Sequence, residues 1–163
     1  MIAVKIKLNG GIMPQKQHPE DAAFDLYVPE DTPVTRGRQI ISLKFAMEIP
    51  RGYAATIQPR SGYSSKGIEA VITDDDPFDG AVTRGCRIDA DVLRGLIDAN
   101  YRGNVGVIIK VNEYHDKMII KKGTRIAQMQ IVPVPEVTLE EADELSDTDR
   151  GEGGFGSTNT NGR

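Results

Sequence analysis

The chain has one cysteine, Cys86, in 163 residues, with no tryptophan and two histidines. A lone thiol excludes an internal disulfide and a thiolate metal cluster, and Cys86 reads as an idle thiol. His18 and His115 lack the spacing of a zinc site and read as surface residues. No apolar run approaches the roughly 20 residues that span a bilayer. The start, MIAVKIKLNGG, has no stretch of signal-peptide length. These features predict a cytoplasmic protein with no membrane contact. Basic excess is also lacking. A net charge of −4 argues against direct nucleic-acid binding, though not against a local basic pocket. Walker, Gly-x-Ser-x-Gly and EF-hand spacings are missing as well, which leaves Asp74-Asp75-Asp76 a solvated acidic run.

What the sequence does have is turns and alternation. The 17 glycines and 9 prolines suit many short strands better than long helices. Val4, Ile6 and Leu8 alternate with lysines, and Ile41, Leu43, Phe45, Met47 and Ile49 keep period two over nine positions. Such alternation predicts strands with one buried face. Tyr53 to Ile57 and Ile126 to Val134 read as further strands. Val105 to Val111 is more continuously apolar and predicts a strand covered on both sides. Thr73 to Asp91 reads as a long acidic loop or small excursion. Only Leu139 to Leu145 has a helical pattern. The sum is an all-β sandwich or barrel over residues 1–145. Residues 146–163 follow as a polar, glycine-rich segment that should be flexible until something binds it.

Four stretches carry groups suited to chemistry, each with a plainer alternative. Gln58 to Gly67 (QPRSGYSSKG) combines arginine, hydroxyls and glycine amides, as a phosphate-binding turn would; it also reads as a polar turn with a solvated arginine. Gly95 to Gly103 (GLIDANYRG) delivers Asp98 at the end of a short strand, either as a general base on water or as a turn aspartate bonding its own backbone. Tyr101 offers a flat face for a sugar or base. Lys122 to Gln128 is a strand start with Gln128 on a polar face. The tail's Arg150, Phe155, Gly156, Ser157 and Thr158 suit a phosphate and a base, or belong to an uninvolved terminus.

The order of these stretches is more telling than any one of them. Asp21-Ala22-Ala23-Phe24-Asp25-Leu26, Pro59-Arg60-Ser61-Gly62, Gly95 to Gly103, Gly123 to Gln128 and Arg150 to Thr158 closely resemble the five ordered motifs of trimeric dUTPases (deoxyuridine 5′-triphosphate nucleotidohydrolases). The resemblance runs from about residue 3 to 158. It implies a jelly-roll-like β fold, a homotrimer with sites at subunit interfaces, and a C-terminal arm that closes a neighbour's site. The implied reaction is dUTP plus water to dUMP and pyrophosphate, with Mg²⁺ carried on the triphosphate, which keeps uracil out of DNA and supplies dUMP for dTMP synthesis.

Carried over residue by residue, Asp98 matches the catalytic aspartate that deprotonates the attacking water. Arg60, Ser61 and Gly62 match the phosphate turn. Gln128 matches the glutamine at the α-phosphate and metal-bound waters, with Asp25 as a further outer partner of the metal and no direct protein ligand. Tyr101 matches the tyrosine under the deoxyribose. Backbone groups of the hairpin from Val92 through Leu96 and Ile97 to Tyr101, with Gly106, would read uracil. Arg150 and Gly156, Ser157 and Thr158 would hold phosphates, and Phe155 would cover the base.

The resemblance is not uniform. Ala23, Asn100 and Thr124 replace a glycine, an acidic residue and an aspartate common in the family; the last would remove a structural ion pair. Leu93 and Arg94 stand where small residues are frequent. Ser61 to Asp98 spans 37 positions, longer than usual, and the excess falls at about residues 69–89. That insertion is expected to be a surface excursion extending a hairpin, or a partner-binding or trimer-edge element. A dCTP deaminase shares the fold and phosphate apparatus, but no glutamate-centred base site is placed for it. A regulatory nucleotide-binding module is the reading from another class, set against the retained Asp98, Arg60, Gln128 and Arg150.

Overall fold

The computed structural model describes residues 2–76, 78 and 80–152. Thirteen strands and one short helix build four antiparallel sheets among these residues. β1 (Lys5–Leu8) pairs with β5 (Phe45–Glu48). β4 (Gly37–Ser42), β11 (Gly106–Val111) and β9 (Ala90–Val92) form a second sheet in that order. β10 (Gly95–Ile97), β6 (Tyr53–Gln58), β13 (Arg125–Pro133) and β2 (Phe24–Tyr27) form a third. The fourth runs β3 (Thr32–Val34), β12 (Lys117–Ile120), β7 (Ile68–Asp76), β8 (Gly80–Ile88). The all-β architecture expected from the alternation, with the jelly-roll-like fold that the resemblance implies, is present.

The alternating residues fill one core. Leu26, Ile41, Leu43, Phe45, Ile57 and Ile109 are essentially sealed from solvent. At about 25 cal/mol per Å² of apolar surface, each such side chain contributes roughly 1.5–3 kcal/mol. Among the described residues, no helix is long and apolar enough to cross a membrane.

Four local expectations change. The nine-position strand around Phe45 is two strands. Lys44 takes φ +53 and diverts the chain, so β4 pairs with β11 while β5 pairs with β1. The burial phase survives the break, which is why the sequence reads as continuous. β11 is not covered on both sides in this chain: Val107, Ile109 and Val111 are buried, but Ile108 is 36% exposed. Leu139 to Leu145 forms no helix; Leu139 and Leu145 are exposed at 93% and 89%, and two turns without a packing partner do not hold.

The acidic stretch is a hairpin, as one reading of the insertion expected, and not a long loop. β7 and β8 pair from Ile68–Ile88 to Asp76–Gly80. Ile68, Ala70, Ile72 and Ile88 seat its base in the core, while β8 is exposed over most of its length. β7 also pairs with β12, and the outer end is fastened by His115, whose Nδ1 lies 2.9 Å from Asp74 Oδ2. His115 is therefore a half-buried clasp and not the surface residue that its isolation in sequence suggests.

Candidate active site

One sheet gathers four of the five motifs. Asp25 sits on β2, Gln128 on β13, Arg60 just beyond β6, and Asp98 just beyond β10. The register sets Gln128 opposite Asp25 on one side and opposite Gln58 on the other. A bulge makes this possible. Arg125 pairs with Tyr27 but Ala127 with Leu26, so Ile126 is the extra residue. Ile126 and Ala127 are both fully buried, and the extra residue sets Arg125 and Gln128 in register with β2 at the site edge.

Charge is concentrated at this edge. Asp25 is only 4% exposed, and two arginines compensate it. Arg60 Nε lies 3.1 Å from Oδ1, and Arg125 Nη1 donates to Oδ2 at 3.4 Å. Arg60 Nη1 also donates to the Arg125 carbonyl at 3.5 Å, and its guanidinium lies 5.3 Å from the Tyr63 ring centre. The Nε–H makes no aligned hydrogen bond among the described residues, although Asp25 stands within ion-pair distance. The pair is thus chiefly Coulombic. Gly62 is open, with no atom within 4 Å of where a Cβ would stand, and Ser61 is exposed beside it. Two cavities flank Arg60, of about 320 Å³ toward Asp25 and Gln128 and about 200 Å³ toward Ser61 and Tyr63.

Asp98 belongs to a separate cavity of about 300 Å³, lined in part by Leu96, Ile97, Asp98, Tyr101, Asn104 and Gly106. The turn after β10 is tightly specified. Tyr101 N–H donates to the Asp98 carbonyl at 3.1 Å, and Tyr101 Oη donates to the Asn104 carbonyl at 3.1 Å. Asn9 Nδ2 in turn donates to Asn104 Oδ1 at 2.8 Å. A Cβ on Gly103 would stand 2.3 Å from Tyr101 Oη, and one on Gly106 would stand 2.7 Å from Ile40 Cγ2. Both positions need glycine for Tyr101 and the cavity wall to sit as they do. Apolar walls, one aromatic face and backbone groups suit a nucleoside. Val92 does not line this cavity; it is buried on β9, opposite Ile109.

The two groups of residues do not meet within one chain. Ile97, the residue before Asp98, pairs with Ala55, which lies five positions before Arg60 in the chain. At about 3.3 Å per residue this separation is on the order of 17 Å. The Asp98 cavity shares no lining residue with either cavity at Arg60. Arg150 is on the exposed segment near the end of the described chain. Phe155, Gly156, Ser157 and Thr158 lie outside the described residues.

Comparison with known proteins decides the family. The dUTPase family model matches residues 9–83 and 85–159. The chain belongs to the dUTPase family. It is 41% identical over 139 residues to the deoxyuridine 5′-triphosphate nucleotidohydrolase of a Hydrogenobaculum species, covering 84% of this chain and 83% of that one. The enzyme of the same name from Nautilia profundicola is 39% identical over 155 residues, covering 93% and 94%. Among solved structures, the Staphylococcus bacteriophage 80alpha dUTPase with dUpNHpp superposes with a TM-score of 0.77 at 28% identity, covering 96% of this chain and 98% of that one.

At this candidate site, sequence reasoning gave Arg125 no partner, and the structure supplies Asp25. Thr124, where the family commonly has an aspartate, contributes its backbone carbonyl to Val28 N–H at 2.9 Å. Tyr63 is 6% exposed, and burial pushes its hydroxyl above the usual tyrosine range. The Glu69 charge adds to that rise, while Arg60, Arg87 and Arg125 oppose it. Neither Tyr63 nor Arg87 had a signal in sequence, because their roles depend on packing between segments.

Proposed function

We propose that this chain hydrolyses dUTP to dUMP and pyrophosphate, as a homotrimer whose sites join residues of different subunits. The observation that carries the reading is the division of the site. A nucleoside-sized cavity holds Asp98 and Tyr101 at one end of a sheet, and the phosphate turn holds Arg60, Ser61 and Gly62 toward the other. No single phosphate group spans the intervening distance, so a second copy supplies the missing half. The family's curated members bear the name of the dUTP hydrolase, and the 80alpha dUTPase structure contains the analogue dUpNHpp.

In this reading the deoxyuridine enters the Asp98 cavity. Tyr101 stacks beneath the sugar, and backbone groups from Leu96 to Gly106 read the base. Asp98 takes a proton from water as the water oxygen bonds to the α-phosphorus, and the bond to the bridging oxygen breaks to release pyrophosphate. Arg60, Ser61 and Gly62 of a second subunit hold the phosphates, with Gln128 at the α-phosphate. Mg²⁺ on the substrate supplies charge neutralisation for the triphosphate. That ion would be held through the phosphates and water. Gln128 fits hydrogen bonding to such water. Asp25 fits less well, since each of its oxygens already faces an arginine.

Residues 146–163 act here as the arm, bringing Arg150, Phe155, Gly156, Ser157 and Thr158 onto the bound nucleotide. Exposed Val137, Leu139 and Leu145 leading into it suit docking on another subunit. The direct test is pyrophosphate release from dUTP with Mg²⁺. The Asp98→Asn chain should bind dUTP and release pyrophosphate about a hundred-fold more slowly or less. Near-normal turnover would remove Asp98 as the base.

A second role, protein binding by residues 69–89, is favoured by one observation. That segment has six carboxylates against two arginines, so it alone matches the net charge of the whole chain. Deleting residues 73–87 without changing turnover, assembly or binding partners would overturn it.

A further inference from the structure

The hairpin returns to the phosphate turn at its root. Glu69 and Arg87 face each other across β7 and β8, with Arg87 Nη2 2.7 Å from Glu69 Oε1. Arg87 Nη1 also donates to the Gly67 carbonyl at 3.3 Å. Gly67 ends α1 (Ser61–Lys66) at φ +80, and a Cβ there would stand 2.4 Å from the Ile88 carbonyl oxygen. Only glycine permits both the angle and the approach. The end of the phosphate turn and the end of β8 are therefore locked together.

Between them lies the cavity of about 200 Å³. Arg60, Lys66, Arg87 and Arg125 line it, and Glu69 is its one carboxylate. The cavity is smaller than the 300 Å³ nucleoside space at Asp98. It is basic and opens beside Ser61 and Gln128, which suits a phosphate or diphosphate. The buried Tyr63 hydroxyl feels Glu69, Arg60, Arg87 and Arg125 together, so the insertion's charges and those of the phosphate turn share one field.

We infer that Arg87 is a further phosphate-binding residue of this site, aimed at the pyrophosphate end of the substrate and held in place by Glu69 until the phosphates arrive. This rests on the dUTP hydrolase reading above. The energetic ordering favours the exchange. The Glu69–Arg87 pair has side chains 58% and 39% exposed, and exposed pairs contribute little. A phosphate oxygen in a cavity with three other cations offers a stronger, charge-assisted partner. Lys66, at the end of α1 in the same cavity, adds a point charge.

The test uses the full-length chain with pyrophosphate and dUMP as separate ligands, measured by calorimetry or competitive inhibition. Arg87→Gln should weaken pyrophosphate binding by about ten-fold and leave dUMP binding unchanged. Glu69→Gln should tighten pyrophosphate several-fold, because Arg87 is released. Equal weakening in both variants would make the pair purely structural and overturn the inference, as would unchanged pyrophosphate binding in Arg87→Gln. Turnover of dUTP by the unmodified chain separates the two levels. If it is absent, the hydrolase reading fails; if it is present and pyrophosphate binding ignores Arg87, only the added subsite fails.

Discussion

Arg60 and Asp25 meet across the intervening strand β13, Nε to Oδ1 at 3.1 Å, and Asp25 is the single buried charged side chain among the described residues. Arg125 completes the arrangement from β13 itself. Removing one member of a buried pair leaves an uncompensated charge. Asp25→Asn should therefore destabilise the fold by about 3 kcal/mol, at the low end of the usual range because Arg125 is partly exposed. Urea denaturation measures this. A change below about 0.5 kcal/mol would show that the arginines find water or other partners just as readily.

Tyr63 gives a pH dependence with a definite sign. Its hydroxyl is held above the usual tyrosine range by burial first and the Glu69 charge second. The folded state thus keeps the proton more tightly than the unfolded chain. The resulting stability is fully present below about pH 10 and is lost as pH rises through the folded value. Stability of the unmodified chain should fall more steeply above pH 10 than that of Tyr63→Phe, as followed by denaturant midpoints. Parallel curves would contradict the assignment.

Much of this was legible in sequence, and the reason is local. Alternation at Ile41, Leu43, Phe45, Met47 and Ile49 set strand faces, and motif order set which loops mattered. Asp98 after β10 and Arg60 after β6 lie where the strand pattern placed them. What escaped was long-range. The partner switch at Lys44 leaves the burial phase intact, so it has no signature in the pattern. The bulge at Ile126 depends on the register with β2. The hairpin was legible only as one reading of the insertion, since charged residues on an exposed strand face, such as Asp74-Asp75-Asp76, also look like a loop. The distance between Asp98 and Arg60 follows only from the β6–β10 register.

That distance has a consequence in mixed assemblies. Chains with Asp98→Asn and chains with Arg60→Ala should each turn over dUTP poorly. Co-expressed or refolded together, they should recover a measurable fraction of activity, because some sites then combine an intact Asp98 with an intact Arg60. No recovery, in mixtures shown to contain both chains, would place Asp98 and Arg60 of one site on the same subunit.

Truncation after Thr148 bears on the arm. Every described residue from 133 to 152 is exposed, and none of the core lies beyond Ile131. The shortened chain should keep its thermal midpoint within a degree or two, of the order expected for loss of exposed terminal residues. Its dUTP turnover should drop about a hundred-fold, since closure over the nucleotide is lost. Full turnover without these residues would remove Arg150 and Phe155 to Thr158 from the site.

The most direct measurement is pyrophosphate release, with Mg²⁺, from dUTP, dCTP, dTTP and UTP in parallel, with ammonia followed in the dCTP reaction. The Asp98 cavity and the Tyr101 that helps line it predict strong preference for dUTP and no ammonia. Comparable rates with all four nucleotides, or ammonia from dCTP, would contradict the account.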